Sequence, residues 1–208
     1  NTGQTDTRYT GNNAAIAPSS NRIVYGGDAT SEATIDSSDT FTLSVIDRAV
    51  EKARVASPMI RPVRVEGEDL YVAFLHDYQV TSLRTSTSTG QWLDIQKSAM
   101  SGGDTAKNPI FSGALGMYNG CVLHRWNRIP GAPSYTSTVR RAALCGAQAV
   151  TLAFGQESDA SKFSWVEEMF DYGNKFGVSA GSIFGMKKTQ FNSEDYGVVV
   201  MSTYATAS

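Results

Sequence analysis

The sequence predicts an α+β fold, because helical and strand patterns occupy different parts of the chain. Near the N-terminus one segment repeats apolar residues at helical spacing, and the last third alternates apolar with polar residues as strands do. This order differs from the alternating strands and helices of parallel nucleotide-binding folds. A chain of 208 residues can also bury a sizeable core without a metal or a disulfide framework.

The chain divides into two parts by composition. Residues 1–38 are polar and rich in Gly, Ser, Thr, Asn and Asp, which predicts an extended or irregular segment with one short strand in RIVYGG at 22–27. Residues 39–208 are predicted to form the α+β domain. The chain begins with Asn1 instead of methionine, so we expect further sequence upstream.

The clearest helix is predicted within SSDTFTLSVIDRAVEKARVASP, residues 37–58. Its apolar residues recur at helical spacing, and its charged residues take the opposite side. The apolar positions are Leu43, Ile46, Val50 and Ala53, the charged ones are Asp47, Arg48, Glu51 and Lys52, and the candidate N-caps are Ser38, Asp39 and Thr40. Pro58 is expected to end the element.

Strand patterns follow this helix. RPVRVEGEDLYVAFLH, residues 61–76, predicts a hairpin with its turn at 66–69, and CVLHRW at 121–126 predicts another strand. VRRAALCGAQAVTLAF at 139–154 fits a strand, a helix or one of each.

The C-terminal third is predicted to be β-structure, and one further helix is expected before it. The β segments are FSWVEEMFD at 163–171, NKFGVSAGSIFGMKKTQF at 174–191 and DYGVVVMSTYA at 195–205. The helix is expected in GQWLDIQKSAM at 90–100, followed by a loop at 101–109.

The composition excludes several functional classes. The net charge is −2 and no basic cluster dominates, so strong direct binding to nucleic acid is not expected. No apolar run has the roughly 20 residues of a membrane span. Charged residues make up 18% of the chain, against about 25% in an average soluble domain, and such a surface suits protein contact.

The stretch NGCVLHRW raises the question of a Cys–His site. Cys121 and His124 could be a nucleophile with its base, half of a metal site, or ordinary strand residues. On a strand, a spacing of three puts the two side chains on opposite faces, which denies a catalytic pair its hydrogen bond. A zinc site would need Cys145 and His76 as well, and these spacings match no zinc motif. The sequence therefore predicts no catalytic and no metal-binding residues here.

Two further stretches resemble known functional patterns. WVEEMFDYG offers Glu167, Glu168 and Asp171, but adjacent carboxylates on a strand face apart, which favours a solvated strand end over acid–base catalysis. GVSAGSIFGMKKT, at 177–189, has glycines four apart and a lysine pair, yet it lacks the apolar length of a membrane helix and the Gly-Lys-Ser/Thr end of a phosphate loop.

Read with a period of two, the same stretch predicts a strand with one bare face. The apolar face is lined by Phe176, Val178, Ala180, Phe184 and Met186. The other face carries Gly177, Ser179, Gly181 and Gly185 and so has almost no side chains, with the exception of Ile183. A bare strand face lets another element approach its backbone closely. Gly177, Gly181 and Gly185 are therefore predicted to be structural close-packing positions, and no cofactor is expected.

Six segments in a fixed order resemble the major capsid proteins of tailed bacteriophages, in the N-four coliphage-type family. They are FTLSVIDRAVEKA, IRPVRVEGEDLYVAFLHDYQVTSLR, KNPIFSGALGMYNGCVLHRWNRIP, RRAALCGAQAVTLAFG, WVEEMFDYGNKFGVSAGSIFGMKKTQFN and YGVVVMSTYA. NPIFSGALGMYNG, together with DYGNKFGV and GMKKTQF, is the most specific part. The resemblance runs from about residue 22 to residue 205.

The resemblance implies a Hong Kong 97-like capsid fold, with an axial domain and part of a peripheral domain. The N-terminal arm, the extended loop and the spine helix of longer family members are not visible in these residues. The implied function is a structural subunit that assembles with itself, as hexameric and pentameric capsomers, into the icosahedral shell of the virion.

In that shell the double-stranded DNA genome is enclosed without sequence-specific binding. Portal, scaffolding and cementing proteins are further candidate partners, no membrane is involved, and assembly takes place in the bacterial host cytoplasm. No catalytic, cofactor or metal residues carry over from the family. The alternative interpretation is a β-rich binding or attachment module of a phage or bacterial surface.

Overall fold

The computed structural model describes residues 16–65, 67–86, 116–155 and 163–207. Within these ranges the chain forms the helices α1, Leu43–Val55, and α2, Asp77–Thr85, and short 3-10 turns at Ser20–Arg22 and Glu32–Thr34. The strands are β1 Ile23–Tyr25, β2 Val63–Val65, β3 Glu68–Leu75, β4 Met117–Tyr118, β5 Cys121–Arg125, β6 Gly131–Ala132, β7 Tyr135–Cys145, β8 Val150–Phe154, β9 Ser164–Phe170, β10 Lys175–Gly181, β11 Phe184–Lys188, β12 Gln190–Phe191, β13 Glu194–Asp195 and β14 Val198–Tyr204. The predicted helix at 90–100 and the loop at 101–109 lie outside the described residues.

A mixed sheet of eight strands forms the centre of the fold. Its order is β1-β14-β7-β3-β5-β4, with β2 paired to β3 and β6 paired to β7. The pairs β1–β14 and β3–β5 are parallel, whereas β7 runs antiparallel to both of its neighbours, β14 and β3. Together with the two helices, this sheet confirms the predicted α+β class.

Helix α1 packs its apolar stripe onto one face of the sheet. Leu43, Ile46, Val50 and Ala53 are all buried, as their spacing predicts. The predicted start was wrong, because the helix begins at Leu43 with Thr42 at the N-cap and without a side-chain capping bond. Asp39 is instead buried beside the sheet, where its Oδ2 accepts a hydrogen bond from the backbone N–H of Asp36 at 3.0 Å.

The hydrophobic core lies between α1, α2 and this sheet face. The sheet contributes side chains from alternate positions of its central strands, because successive side chains of a strand point to opposite faces. They are Tyr71, Ala73 and Leu75 on β3, Cys121 and Leu123 on β5, Ala142 and Leu144 on β7, and Val199 and Met201 on β14. Tyr71 satisfies its buried hydroxyl by donating to the carbonyl of Ile60 at 2.9 Å.

Helix α2 was not predicted from the sequence. Its N-cap is His76, whose Nδ1 accepts from the backbone N–H of Tyr78 at 3.1 Å, and histidine is not among the usual capping residues. On its buried side Gln79 takes the place of an apolar residue, donating to Thr203 Oγ1 at 2.8 Å and to the Arg140 carbonyl at 3.2 Å. Neither feature has a helix signature that periodicity would detect.

Between β7 and β14 the chain leaves the sheet as a two-stranded arm. β8 pairs with β11 to form the proximal ladder, and β9 pairs with β10 to form the distal ladder. Two strands, β7 and β8, account for residues 139–154, which resolves the alternatives left open there. The single strand expected over 174–191 is wrong, because the chain breaks at Ser182–Ile183 and its two halves pair with different partners.

Candidate subunit-contact surface

Most of the large apolar side chains that are exposed in the described residues lie in the arm or directly after it. The arm comprises residues 150–155 and 163–188, as far as the structure describes them, and β8 is exposed along its whole length. A two-stranded ladder on its own is at best marginally stable in water. An apolar surface of this extent is typical of a site for protein contact.

In the proximal ladder the apolar side chains share one face. The register pairs Leu152 with Met186 and Phe154 with Phe184, and paired residues of antiparallel strands lie on the same side. This proximal apolar face consists of Val150, Leu152, Phe154, Phe184 and Met186, all of them exposed. The opposite face carries only Thr151, Ala153, Gly185 and Lys187.

The distal ladder has a similar division. Met169 pairs with Phe176, Trp165 with Ala180 and Glu167 with Val178. The distal apolar face therefore consists of Trp165, Met169, Phe176 and Val178, with exposures between 47% and 64%. Glu167 lies among them and accepts a hydrogen bond from the indole Nε1 of Trp165 at 2.7 Å.

The predicted bare strand face is the other side of the distal ladder. Gly177 and Gly181 share it with Ser179, as expected, whereas Gly185 belongs to the separate proximal ladder. A Cβ on Gly177 would lie 2.5 Å from the Phe170 ring, and one on Gly181 would lie 2.6 Å from Ser164 Oγ. Both near atoms belong to β9, so the close packing by a further element stays a prediction.

A charged cluster fixes the base of the arm to the N-terminal segment. Lys188 Nζ lies 2.6 Å from Asp195 Oδ1 and donates to the carbonyl of Ala17 at 3.0 Å. Asp195 Oδ2 accepts from the backbone N–H of Ser19 at 3.0 Å, and the Asp195 N–H donates to Ser19 Oγ at 2.8 Å. We call Ala17, Ser19, Lys188 and Asp195 the arm clamp. No local sequence pattern predicts this cluster, because its members are up to 178 positions apart.

Cys121 and His124 lie on opposite faces of β5, as predicted. Cys121 is fully buried in the core, whereas His124 is exposed and stacks on Phe74 with ring centroids 5.8 Å apart. Cys145 lies on β7, and β3 runs between the two cysteines. The Cα atoms of the two cysteines are therefore separated by at least two inter-strand spacings of about 4.8 Å each. This separation exceeds the Cα–Cα distance of roughly 7 Å that a disulfide can span. In the described part of the chain no three His, Cys, Asp or Glu side chains form a group that could hold a metal ion.

The remaining candidate residues have structural surroundings. Glu167 and Glu168 pair with successive residues of β10, which confirms that they face apart. The lysine pair after Gly185 lies on β11 and does not open a helix, unlike a phosphate loop. Neither described helix is long and apolar enough to cross a membrane.

Comparison with known proteins identifies the family. A profile of the phage capsid protein family matches residues 1–207, nearly the whole chain. The chain belongs to this family. This membership is consistent with the large exposed apolar surface of the arm.

Three relatives of this capsid-family chain show its extent. The major capsid protein of Pseudomonas phage KPP25 is 29% identical over an alignment of length 197, and this alignment includes 86% of the chain and 49% of the relative. The capsid of Ralstonia phage GP4 superimposes with a TM-score of 0.67 at 40% identity, covering 91% of the chain and 54% of that protein. The cyanophage Pam1 capsid asymmetric unit gives a TM-score of 0.72 at 25% identity, with coverages of 91% and 55%. The chain thus spans about half the length of these relatives.

The thiols of this capsid-family protein are predicted to be unreactive while it is folded. Burial raises the pKa of Cys121 to about 12, with a further contribution from Cys145, and burial raises the pKa of Cys145 to about 11. Both thiols are therefore protonated at neutral pH, and the thiolate is the nucleophile. We expect iodoacetamide at pH 7.5 to leave native protein unlabelled, and denatured protein to take up two labels per chain. Rapid labelling of folded protein would contradict this expectation.

The His76 cap predicts that the fold weakens in mild acid. Burial, followed by the charge of Arg140, lowers the pKa of His76, although Asp77 acts in the opposite direction. The unfolded chain therefore binds this proton more readily than the folded chain, so the unfolding free energy falls as pH drops below the ordinary histidine pKa of about 6.5. Protonation also removes the Nδ1 lone pair that caps α2.

Denaturant titrations at pH 7.5 and 5.5 would measure this effect. His76→Asn keeps a capping oxygen but cannot titrate near neutral pH, so its stability should change less between the two pH values. His124→Asn replaces the exposed histidine and is the matched control, which should retain the wild-type pH dependence. An equal pH dependence in wild type and His76→Asn would show that His76 is not the responsible group.

Proposed function

We propose that this chain is part of a major capsid subunit, which packs against copies of itself in the icosahedral shell around a phage's double-stranded DNA. Membership of the phage capsid family supports this function, and the exposed apolar arm is the structural observation that carries it. Side chains such as Trp165 and Phe176 would be costly to leave in water, and contact with neighbouring subunits would cover them.

The finer assignments belong to the same proposal. The fold is of the Hong Kong 97-like type, with the axial domain and part of the peripheral domain in these residues. We propose that the N-terminal arm, the extended loop and the spine helix expected for this fold lie outside these residues. The subunits form hexameric and pentameric capsomers, enclose DNA without reading its sequence, and assemble in the host cytoplasm into the virion shell, with no catalytic role.

Expression of the gene that encodes this chain would test the function. We expect electron microscopy of the purified product to show closed shells. We also expect these shells to form without DNA. A folded product that stays monomeric at high concentration and binds a sugar or a surface receptor would overturn the proposal and favour the attachment module. Because the relatives named above are phage capsid proteins, they support the shell function over the attachment module.

The glycines on the bare face make a specific prediction within this function. The Phe170 ring of the same ladder already lies against Gly177. We propose that another subunit approaches the backbone closely at the other two predicted positions, Gly181 and Gly185, so Gly181→Leu should lower the yield of shells at least tenfold. The unassembled variant should melt near the wild-type temperature, because the nearest atom in its own chain is the hydroxyl of Ser164. Arg64→Leu, on an exposed position of β2 outside the arm, is the control. A wild-type shell yield for Gly181→Leu would contradict the proposal.

A further inference from the structure

The distal apolar face has no partner within the described residues. Trp165 and Phe176 each expose more than half of their surface, although an isolated two-stranded ladder cannot stabilise itself by internal packing. Aromatic and methionine side chains are enriched at protein interfaces, and Trp in particular contributes strongly to binding there. The composition of this face therefore points to a protein partner.

The charge around this face is negative. Within residues 163–181 there are three carboxylates, Glu167, Glu168 and Asp171, against the single Lys175, a net charge of −2. Lys175 lies 4.0 Å from Asp171, which leaves Glu167 and Glu168 without a cation from this ladder. Within the distal ladder, Glu167 accepts one side-chain hydrogen bond, from the indole N–H of Trp165, and this bond is exposed to solvent. The negative charge of Glu167 is therefore available to a partner.

A complementary surface lies at the end of β5. Residues 124–128, HRWNR, are all exposed and contain two arginines and no acid. Trp126 is 56% exposed, and the side chain of Arg125 is 64% exposed. The 3.9 Å pair of Arg125 with Asp77 is open to solvent and holds the arginine only weakly. We call residues 124–128 the basic run.

Charge also argues against a contact between two copies of the distal apolar face. Such a contact would bring Glu167 of each copy into a water-poor interface of like charge, which is unfavourable. A contact with the basic run instead places arginine opposite glutamate and tryptophan beside apolar side chains. Each copy of the chain exposes both surfaces, and the proposed shell is built from copies of this chain. The partner of the distal apolar face is therefore a second copy.

We propose that the distal apolar face of one subunit docks on the basic run of a neighbouring copy. The inference rests on the proposed shell function and names one of its contacts. Glu167 pairs with Arg125 or Arg128, and Trp126 packs against Phe176 and Val178. The contact is heterologous, so it can close a ring of subunits or extend across a shell.

Charge reversal tests this contact in the complete gene product. Glu167→Arg and Arg125→Glu should each lower shell yield at least tenfold, and the double variant should recover most of the wild-type yield. Arg64→Glu, an exposed reversal in β2, should assemble normally and should not rescue Glu167→Arg. Circular dichroism and thermal melts of the unassembled variants verify that each one folds.

Cysteine cross-linking gives a second readout that does not depend on assembly defects. Val178→Cys combined with Asn127→Cys should form a disulfide between subunits under mild oxidation, because the proposed contact brings these two positions together. The native thiols are buried or half-buried and should not compete. Val178→Cys with Arg64→Cys is the matched control and should stay uncross-linked. The inference is overturned if wild type forms shells while the double reversal gives no rescue and the cysteine pair gives no cross-link. If wild type forms no shells, the proposed function fails instead.

Discussion

Asp195→Ala is expected to lower the unfolding free energy by about 3–5 kcal/mol, because it removes one partner of a buried ion pair. The carboxylate is fully buried, and its Oδ1 lies 2.6 Å from Lys188 Nζ, a side chain that is only 19% exposed. The substitution would leave this ammonium without a counter-ion in a site that excludes most water. It would also remove the acceptor of the Ser19 N–H.

Urea titration of the purified variant measures this effect. Lys187→Ala removes the neighbouring, exposed lysine and should change stability by no more than about 0.5 kcal/mol. Asp195→Asn retains an acceptor oxygen without the charge and should be intermediate. An Asp195→Ala protein as stable as Lys187→Ala would show that the arm clamp does not stabilise the fold.

Gly197→Ala is expected to lower the free energy of unfolding, because neighbouring backbone encloses this glycine. A Cβ there would lie 2.7 Å from both the N and the Cα of Ala149 and 3.0 Å from the Ala147 carbonyl. These are backbone atoms, so the chain itself would have to shift where β7, β8 and β14 meet. Overpacking of this kind costs about 1–3 kcal/mol. The same backbone shift would disturb the hydrogen bond that the Gly146 N–H donates to the Gly197 carbonyl, which would add to the cost.

Thermal denaturation of Gly197→Ala and Gly181→Ala, measured side by side, tests this expectation. At Gly181 the near atom is the hydroxyl of Ser164, which can rotate away, so that variant should melt close to wild type. Equal melting temperatures for the two variants would contradict the close backbone approach at Gly197.

Local patterns were enough to predict several parts of this capsid-family chain. The spacing of Leu43, Ile46, Val50 and Ala53 predicted the buried face of α1, and alternation placed Cys121 and His124 on opposite sides of β5. These predictions succeed because a helix or a strand orients its side chains with a fixed period, whatever lies around it. The phage capsid resemblance, drawn from six ordered segments, was confirmed by the family match.

Other features depend on contacts between distant residues. His76 and Gln79 stabilise α2 through a histidine cap and a bond to Thr203, neither of which a hydrophobic pattern signals. Ser182 and Ile183 interrupt the apolar alternation, but the same alternation resumes at Phe184, so the sequence predicted one strand where the partners of its two halves require two. Likewise, the glycines that appeared critical lie on an exposed ladder, whereas Gly197 is enclosed by the backbone of residues 147–149.

By itself the sequence determined the α+β class, the face of α1, the strands of the core and the capsid resemblance, because each depends on periodicity or on the order of motifs. Only the tertiary structure decided how the arm divides into two ladders, that no other described residues cover its apolar faces, and that Asp195 joins Lys188 to Ser19. Strand pairing and buried ion pairs bring together groups that are far apart in the chain. Their energies depend on burial and geometry, which exist only once the chain has folded.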